Sequence, residues 1–438
     1  MSSQSWTKPH LLGKTLEEIR SSAAALHGYI DEACDRLETV DPKILAFLDE
    51  PGRRERLHRE ADALLARFSS EEKPPLYGAL CGVKDIYRVD GFATKAGSQL
   101  PAEIFEGAEA SVVTKLRESG ALVLGKCVTT EFAYFEPGPT RNPHDTQRTP
   151  GGSSSGSAAA VAAGLCAFSL GTQTVGSVLR PAAFCGVVGF KPSYGRIDPS
   201  GLIFFSPSLD HVGYFTQDVA GARAVSTVVC RDWTEPTEES LPVLGVPVGT
   251  YLDMLDEEDD SRVAFEAQLG LLEAAGYVVK RTAGALDDLQ RFQELHSTLC
   301  AKELADVHKD WFAAHEPLYR PRTAALIHKG QLIEDAADAK RGQLELRQRL
   351  EGFMDAHGID LFVSPSAPGV APLGVQSTGD PKMNQPWTYA GLPALSVPVL
   401  APGSLPLGLQ LVARFNHDER LLHWAQPLAD VFFTSDDS

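Results

Sequence analysis

Two loops rich in glycine and serine carry the side chains best suited to nucleophilic chemistry. The first, from Thr149 to Ser157, reads TPGGSSSGS, and the second reads GTQTVGS and ends at Ser177. A flexible linker does not lead directly into an alanine-rich helix and a strand, so we expect rigid elements to hold these loops. Glycines permit close backbone approach, and Gly176 lets successive backbone N–H groups point into one concavity. Such a concavity binds an oxyanion.

A lysine stands inside a predicted buried strand. The stretch from Ala79 to Val89, ALCGVKDIYRV, is apolar and contains β-branched residues, with Lys84 as its one odd member. Neighbouring side chains on a strand point to opposite faces, so Asp85 should not meet the Lys84 amine. A buried lysine whose pKa falls from about 10.4 to near 7 or 8 can act as a base, at a cost of roughly 3 to 5 kcal/mol.

One segment nearly matches a nucleotide-binding P-loop. Residues 120–127 read GALVLGKC, whereas the motif is Gly-x-x-x-x-Gly-Lys-Ser/Thr. The four middle residues are apolar and favour burial as a strand, and Cys127 stands where the Mg²⁺-binding hydroxyl should be. We therefore predict no nucleotide site here.

A second short motif, residues 152–156, matches the Gly-x-Ser-x-Gly nucleophile elbow of α/β-hydrolases, with Ser154 as nucleophile. The elbow needs a hydrophobic strand directly before it, but residues 146–151 are polar and include a proline. No pattern supports His417 or His423 as the partnering base. An α/β-hydrolase acting through Ser154 stays as an alternative.

Helix and strand patterns alternate along the chain, which predicts one large α/β domain spanning residues 1–438 around a parallel or mixed sheet. Thr15 to Glu18 reads as a capping box that opens a helix running to about Leu37. With a helix from Arg53 to Phe68, it gives a helical segment of about residues 1–70 that packs on the domain. Further helices are predicted at Ser111 to Gly120, Ala158 to Gly164 and Gln331 to Ala356, and strands at Cys166 to Leu170, Leu361 to Val363, Leu395 to Val399 and Leu407 to Val412.

Composition excludes several classes of protein. The 438 residues are 43% hydrophobic and carry a net charge of −18 without any Lys/Arg run longer than a pair, which predicts a globular protein that does not bind nucleic acid directly. Seven scattered cysteines without a Cys-x-x-Cys pair predict reduced, mostly buried thiols in a cytoplasmic protein. The histidines form no ligand cluster, so no metal and no other cofactor is predicted. The polar start of the chain and its short apolar runs predict neither a signal peptide nor a membrane anchor.

Several motifs together resemble the amidase signature family. They are GVKD around Lys84, GGSSSGS from Gly151, and GTQTVGS followed by RPAAFCGVVGFKPSYGRI. The segments PLYGALCGVKDIYRVDGFATKAGS, GPTRNP, NQPWTYAGLPALSVPV and PLGLQLVARFNHDERLL extend the likeness over nearly the whole chain, in the family's order. The resemblance implies an α/β fold, a single large domain with a central mixed β-sheet covered by helices on both faces.

The resemblance also implies roles for three residues. Ser177 is the nucleophile, Ser153 is a bridging serine next to a cis peptide, and Lys84 is the general base. Ser153 would relay the proton between the other two and return it to the leaving group. The implied oxyanion hole consists of four backbone N–H groups, those of Thr174, Val175, Gly176 and Ser177.

Three residues depart from the family's pattern. The family usually shows GTDTGGS followed two residues later by an arginine. Here Gln173 replaces the acid, Val175 replaces a glycine, and Leu179 stands at the arginine position, with Arg180 one place further on. We interpret this as the replacement of a charged pair by neutral packing, which affects substrate choice rather than reaction type.

Aromatic residues bordering the serine loops predict an aromatic or alkyl acyl pocket, ordinary core packing being the alternative. They are Phe132, Tyr134, Phe135, Phe204 and Phe205. No obvious cationic group stands beside Ser177 unless Arg180 supplies one. The sequence thus favours neutral small amides, anilides or carbamates (urethanes) over glutamine, with esters as a side activity.

One alternative is a partner-dependent subunit that resembles the glutaminase component of the tRNA-dependent amidotransferase. Such a chain would pass ammonia to a partner and lie near tRNA. The sequence also leaves a homodimer open.

Overall fold

The computed structural model describes residues 5–68, 72–237, 240–255, 261–399 and 404–432. Within these residues ten strands form a single mixed sheet flanked by helices, which confirms the predicted fold class. The strands are β1 (Leu80–Lys84), β2 (Leu122–Cys127), β3 (Phe168–Gln173), β4 (Val188–Lys191), β5 (His211–Thr216), β6 (Leu244–Pro247), β7 (Val279–Thr282), β8 (Leu361–Pro365), β9 (Ala394–Val399) and β10 (Leu407–Val412). The helices are α1 (Leu12–Ile19), α2 (Ala23–Ile44), α3 (Arg53–Arg67), α4 (Ser111–Glu118), α5 (Ser155–Ala162), α6 (Leu179–Cys185), α7 (Val219–Val229), α8 (Ser261–Ala274), α9 (Leu289–Val307), α10 (Lys309–His315), α11 (Pro321–Gln331), α12 (Ala337–His357), α13 (Gln385–Tyr389) and α14 (Asp418–Asp430).

The sheet has the strand order β2-β1-β3-β5-β4-β9-β10-β8-β6-β7. Strand β1 runs parallel to both β2 and β3, and β6 runs parallel to β7 and β8. The strands between these two groups pair in antiparallel fashion. Because β1 and β3 are parallel neighbours, their carboxyl ends meet at one edge of the sheet, and the chain leaves that edge at Lys84 and Gln173.

The predicted capping box at the start of the chain is wrong. Thr15 lies inside α1, where its hydroxyl donates to the Leu11 carbonyl at 2.9 Å. Helix α1 ends at Ile19, and Ser22 caps the next helix, α2, by accepting a hydrogen bond from the backbone N–H of Ala25 at 3.1 Å. A Ser/Thr hydroxyl that bonds the carbonyl four residues earlier satisfies itself within a helix and does not cap it.

Other predicted elements shift in their boundaries. The predicted helix from Gln331 to Ala356 begins six residues later, because α12 starts at Ala337 and Gln331 is the last residue of α11. Strand β3 begins two residues later than predicted and continues through GTQ of the second loop. That extension places Thr172 in the sheet.

The P-loop-like segment forms the buried strand β2. Its lysine, Lys126, makes a buried ion pair with Asp85 at 2.9 Å and donates to the Tyr87 carbonyl at 2.7 Å. Asp85 therefore faces Lys126 and not the Lys84 amine, as predicted. Asp85 lies in a turn just beyond β1, because β1 ends at Lys84, five residues before the predicted end of the strand at Val89.

All seven cysteines are free and buried, in agreement with the prediction. Among the described residues, no helix is long and apolar enough to cross a membrane. The described part of the chain also contains no group of three or more His, Cys, Asp or Glu side chains arranged to hold a metal ion.

Candidate active site

Lys84, Ser153 and Ser177 come together at the carboxyl edge of β1 and β3. Lys84 is the last residue of β1, Ser153 lies in the loop that leads into α5, and Ser177 lies in the turn between β3 and α6. Helix α5 is built of small residues and is fully buried, so it packs closely under the sheet edge and fixes the first serine loop. The Gly152–Ser153 peptide bond is cis.

Three hydroxyl groups surround the Lys84 amine. Its Nζ lies 2.7 Å from Ser153 Oγ, 2.8 Å from Thr172 Oγ1 and 3.0 Å from Ser154 Oγ. Lys84 itself is 0% exposed, and no carboxylate of the described residues lies within 4.0 Å of its amine. This is an uncompensated buried position, which disfavours the ammonium form.

The hydroxyl orientations suit a neutral amine. Ser154 Oγ donates to the Thr172 carbonyl at 3.2 Å, so toward Lys84 it can only accept. A neutral amine has two N–H groups, which Ser154 and Thr172 can accept, and one lone pair, which then faces the Ser153 hydroxyl. The 2.7 Å contact between Lys84 Nζ and Ser153 Oγ is therefore compatible with a neutral amine.

Burial is the main electrostatic influence on this group. It holds the pKa of the Lys84 amine well below the usual lysine value, and the Asp210 carboxylate offsets part of that effect. Burial also raises the pKa of Asp210 to about 6. A lysine with a strongly lowered pKa beside a cleft is a common sign of a functional group.

Ser153 and Ser177 line one small cleft. Both are almost fully buried, at 2% and 7% exposure. Ser153 is thus in contact with the lysine on one side and open to the cleft on the other. Ser154 is 0% exposed and does not line the cleft, which is the opposite of what a nucleophile elbow requires.

The turn after β3 has backbone donors free to bind an anion. The N–H groups of Val175, Gly176 and Ser177 have no acceptor among the described residues. Glycine is required at the middle position, because a Cβ there would collide with Asn384 Oδ1. An oxyanion hole at this turn stays a prediction, with three of its four predicted N–H groups available to an anion.

Side chains from distant helices hold the carbonyl groups of this turn. His296, on α9, lies with Nε2 2.9 Å from the Thr174 carbonyl oxygen, while its Nδ1 lies 3.1 Å from Gln385 Nε2. The glutamine nitrogen can only donate, so the histidine proton is on Nε2 and is donated to Thr174. Burial lowers the pKa of His296 to about 4, which keeps the ring neutral. Thr388, on α13, donates to the Val175 carbonyl at 2.7 Å.

Asp210 connects the turn to the aromatic wall of the cleft. One of its oxygens accepts the Thr174 hydroxyl at 2.5 Å, and the other accepts the backbone N–H of Phe205 at 2.8 Å and of Ser206 at 3.0 Å. The position of Phe205 in the cleft is therefore linked to the conformation of the turn.

Gln173 occupies the place of the family's acid. Its Oε1 accepts the backbone N–H groups of Val178 and Leu179 at 2.8 and 3.0 Å, and its Nε2 donates to Thr388 at 2.9 Å. Gln173 and Leu179 are both 0% exposed. The amide thus caps the start of α6 without introducing a charge.

Arg180 also lines the cleft, although it is 1% exposed. Its Nη2 donates to the Gly152 carbonyl at 2.6 Å and to the Thr378 hydroxyl at 3.2 Å. Its Nε and Nη1 have no hydrogen-bond partner in the described part of the chain. Burial lowers the pKa of Arg180 to about 10, so the side chain remains a cation at neutral pH.

The structure separates the five aromatic candidates. Tyr134, Phe135 and Phe205 line the cleft, and the Tyr134 and Phe205 rings stack with centroids 5.5 Å apart. Phe132 does not reach the cleft; it packs in the core against His308 at 4.4 Å between ring centroids and against other aromatic rings. Phe204 is partly buried against the core and also lies outside the cleft-lining residues.

Sequence reasoning missed Thr172 and His296. Thr172 is an ordinary β-branched residue in a strand, and His296 is a lone histidine in a helix pattern. Both act through contacts made across long stretches of sequence, so no local signal marks them.

Comparisons with known proteins show the family of this chain. The sequence model of the Amidase family matches residues 29–422. A glutamyl-tRNA(Gln) amidotransferase subunit of Synechococcus sp. (strain RCC307) is 32% identical, with 96% of this chain and 97% of the relative covered. This chain belongs to the amidase family, whose members cleave amide C–N bonds.

Solved structures share the fold over nearly their full length. A crystal structure of an amidase superposes with a TM-score of 0.84 at 30% identity, covering 97% of this chain and 100% of the other. A protein from a vestigial complex, studied for the origins of an s-triazine catabolic enzyme, superposes with a TM-score of 0.84 at 27% identity, covering 96% and 98%.

Proposed function

We propose that this enzyme cleaves the C–N bond of small amides, anilides or carbamates through an acyl-enzyme on Ser177. The observation that carries the proposal is the 2.7 Å contact between the buried Lys84 amine and Ser153, in a cleft that Ser177 also lines. The enzyme needs no cofactor for this chemistry, because two hydroxyls and an amine supply the base, the nucleophile and the acid.

The reaction proceeds by proton transfer along the three side chains. Neutral Lys84 takes the proton of Ser153 as Ser153 takes that of Ser177, and Ser177 Oγ attacks the carbonyl carbon. The free N–H groups of residues 175–177 stabilise the negative charge that develops on the carbonyl oxygen. Ser153 then gives a proton to the leaving nitrogen as the C–N bond breaks and takes one back from the Lys84 ammonium, which restores the neutral amine. Water hydrolyses the acyl-enzyme by the same relay.

The cleft favours a small acyl group. The rings of Tyr134, Phe135 and Phe205 that line it suit a compact or flat group. The preference for a strictly neutral substrate depended on the absence of a cation beside Ser177. Arg180 removes that reason, since its guanidinium lines the same cleft.

The rival function is that of a glutaminase component working with a partner. It is supported by the relatives that are named as subunits of the glutamyl-tRNA(Gln) amidotransferase. Purified protein that hydrolyses a neutral p-nitroanilide on its own, without glutaminase activity, would favour the independent hydrolase. Glutaminase activity that appears only with partner subunits would favour the rival.

Covalent labelling tests the nucleophile directly. We expect a fluorophosphonate to modify Ser177, as located by mass spectrometry of the digested protein. Ser177→Ala should abolish labelling and turnover, whereas Ser154→Ala should reduce turnover and leave it measurable, because Ser154 only orients Lys84. Labelling at Ser154, or at any residue other than Ser177, would contradict the assignment.

A further inference from the structure

Part of the aromatic wall of the cleft belongs to a short closed loop, residues 131–136, called the wall loop below. The backbone N–H of Glu131 donates to the Glu136 carbonyl at 3.2 Å, which joins the two ends of the loop. Tyr134 and Phe135 lie between these ends, and their rings line the cleft. The shape of the wall loop therefore shapes the cleft.

The wall loop has a backbone conformation that other parts of the protein must maintain. Phe132 and Ala133 have φ angles of 47° and 60°, in the left-handed region that residues with a Cβ disfavour. Such residues are costly and persist only where the surrounding structure holds them in place. The contacts that hold the loop thus decide where the rings of Tyr134 and Phe135 lie.

The start of helix α11 supplies several of these contacts. Both carboxylate oxygens of the buried Glu131 accept the backbone N–H of Arg320, at 3.0 and 3.1 Å. Glu136 Oε1 accepts the backbone N–H of Arg322 at 2.7 Å. The first N–H groups of a helix have no partner within it, and a carboxylate placed there is favourable. In the other direction, Arg322 Nη1 donates to the Phe135 carbonyl at 2.9 Å.

Helix α11 is itself fixed in the fold. It packs on α9 so closely that a Cβ at Gly330 would collide with the Ala301 carbonyl. Close packing of this kind leaves little freedom for movement. The helix is therefore a firm anchor for a loop that would otherwise relax.

We infer that the start of α11 sets the acyl-group specificity of the enzyme, with Glu131 and Arg322 as the positioning residues. The inference deepens the proposed function and rests on it. Neither residue is among those that line the cleft; each acts through the wall loop, Glu131 at its base and Arg322 on the carbonyl of Phe135. The arrangement selects amides whose acyl part carries an aromatic ring, because the rings of Tyr134, Phe135 and Phe205 pack against such a ring.

Matched substrates test the inference within each variant. Phenylacetyl p-nitroanilide is compared with acetyl p-nitroanilide, which has the same leaving group without the ring. In the unmodified enzyme we expect kcat/KM to be about 10- to 100-fold higher for the phenylacetyl substrate, the effect of burying one aromatic group. This ratio should fall about 3- to 10-fold in Arg322→Met and about 10-fold or more in Glu131→Leu, which leaves the Arg320 N–H unpaired. The fall should come from a higher KM for the phenylacetyl substrate, with kcat little changed.

Conservative variants separate positioning from general damage. Arg322→Lys keeps a donor and Glu131→Gln keeps an acceptor, so each should retain most of the ratio. Arg322 is exposed, so its variants should fold even where Glu131→Leu does not. A ratio near 1 in the unmodified enzyme, a ratio unchanged in Arg322→Met, or equal losses in Arg322→Met and Arg322→Lys would overturn the inference.

A binding measurement keeps this test apart from the proposed function. Calorimetric titration of the Ser177→Ala protein with phenylacetamide does not depend on catalysis. We expect binding that an added Arg322→Met substitution weakens by about 3- to 10-fold. Failure of fluorophosphonate labelling with Arg322-dependent binding intact would count against the catalytic assignment alone, while absent or Arg322-independent binding would refute the inference.

Discussion

Replacing Thr172 by valine should move the pH dependence of the reaction to lower pH. Valine has nearly the same shape and suits a strand, so β3 should persist. The change removes one of the three hydroxyl oxygens that surround Lys84 Nζ, the one at 2.8 Å. Both protonation states of Lys84 lose a hydrogen bond, but the ammonium loses the stronger one.

The size of the shift follows from that difference. A hydrogen bond to a charged group contributes roughly 1.5 to 3 kcal/mol, against roughly 0.5 to 1.5 for a neutral one. The ammonium is thus disfavoured by a further ~1 to 1.5 kcal/mol, which lowers the pKa of Lys84 by about one unit. Activity requires the neutral amine, so the rising limb of the rate with pH should move about one unit toward acid.

The assay is the rate at which a fluorophosphonate labels Ser177, measured between about pH 5 and pH 10, below the pKa of an ordinary lysine. This probe is uncharged and needs no knowledge of the substrate. In the unmodified enzyme the rate should rise with pH and level off below the usual lysine pKa, because burial lowers the pKa of Lys84.

Thr172→Ser is the matched control, since it keeps the hydroxyl and should leave the limb in place. A limb that stays fixed in Thr172→Val, or that moves toward alkaline pH, would refute the assignment of Lys84 as the titrating base.

Two further predictions concern the turn that contains Ser177. His296→Phe removes the donor to the Thr174 carbonyl and should lower kcat by about 10-fold or more with little change in KM. His296→Gln keeps a donor and should recover most of the lost kcat. Equal losses of kcat in both variants, or a change in KM alone, would contradict a positioning role. Gln173→Asp buries an unpaired carboxylate and should lower the free energy of unfolding in urea by about 3 kcal/mol, part of which Leu179→Arg restores in the double variant. Additive effects of these two substitutions would show that the positions are not coupled.

The position of Lys84 could be predicted because it depends on local signals. Apolar neighbours on both sides indicate a buried strand, while the role of Lys84 as a base came from the resemblance to the family's lysine region, since a charged residue in a buried strand can also be structural, as Lys126 is. The exact contacts of its amine could not be predicted, since they depend on the pairing of β1 with β3, in which Val83 lies opposite Leu170. A shift of that register by one residue would turn Thr172 away from the amine.

Which aromatic residues line the cleft could not be predicted from the sequence. Phe132 and Phe205 have the same side chain and both border a serine loop, yet only Phe205 reaches the cleft. Packing against His308 and Tyr319, far along the chain, draws Phe132 into the core. The residue type shows that a phenylalanine can line an apolar cleft, whereas side chains from distant elements decide whether it lies in the cleft or in the core.

The buried cysteines give the molecule a set of internal reporters. Burial raises the pKa of all seven thiols, so in the folded protein each is protonated and shielded from alkylating reagents. They are spread over separate elements: Cys81 lies in β1 three residues before Lys84, Cys185 in α6 after the Ser177 turn, and Cys300 in α9 near His296. The order in which pulse alkylation modifies them would therefore record which parts of the fold open first, without any introduced label.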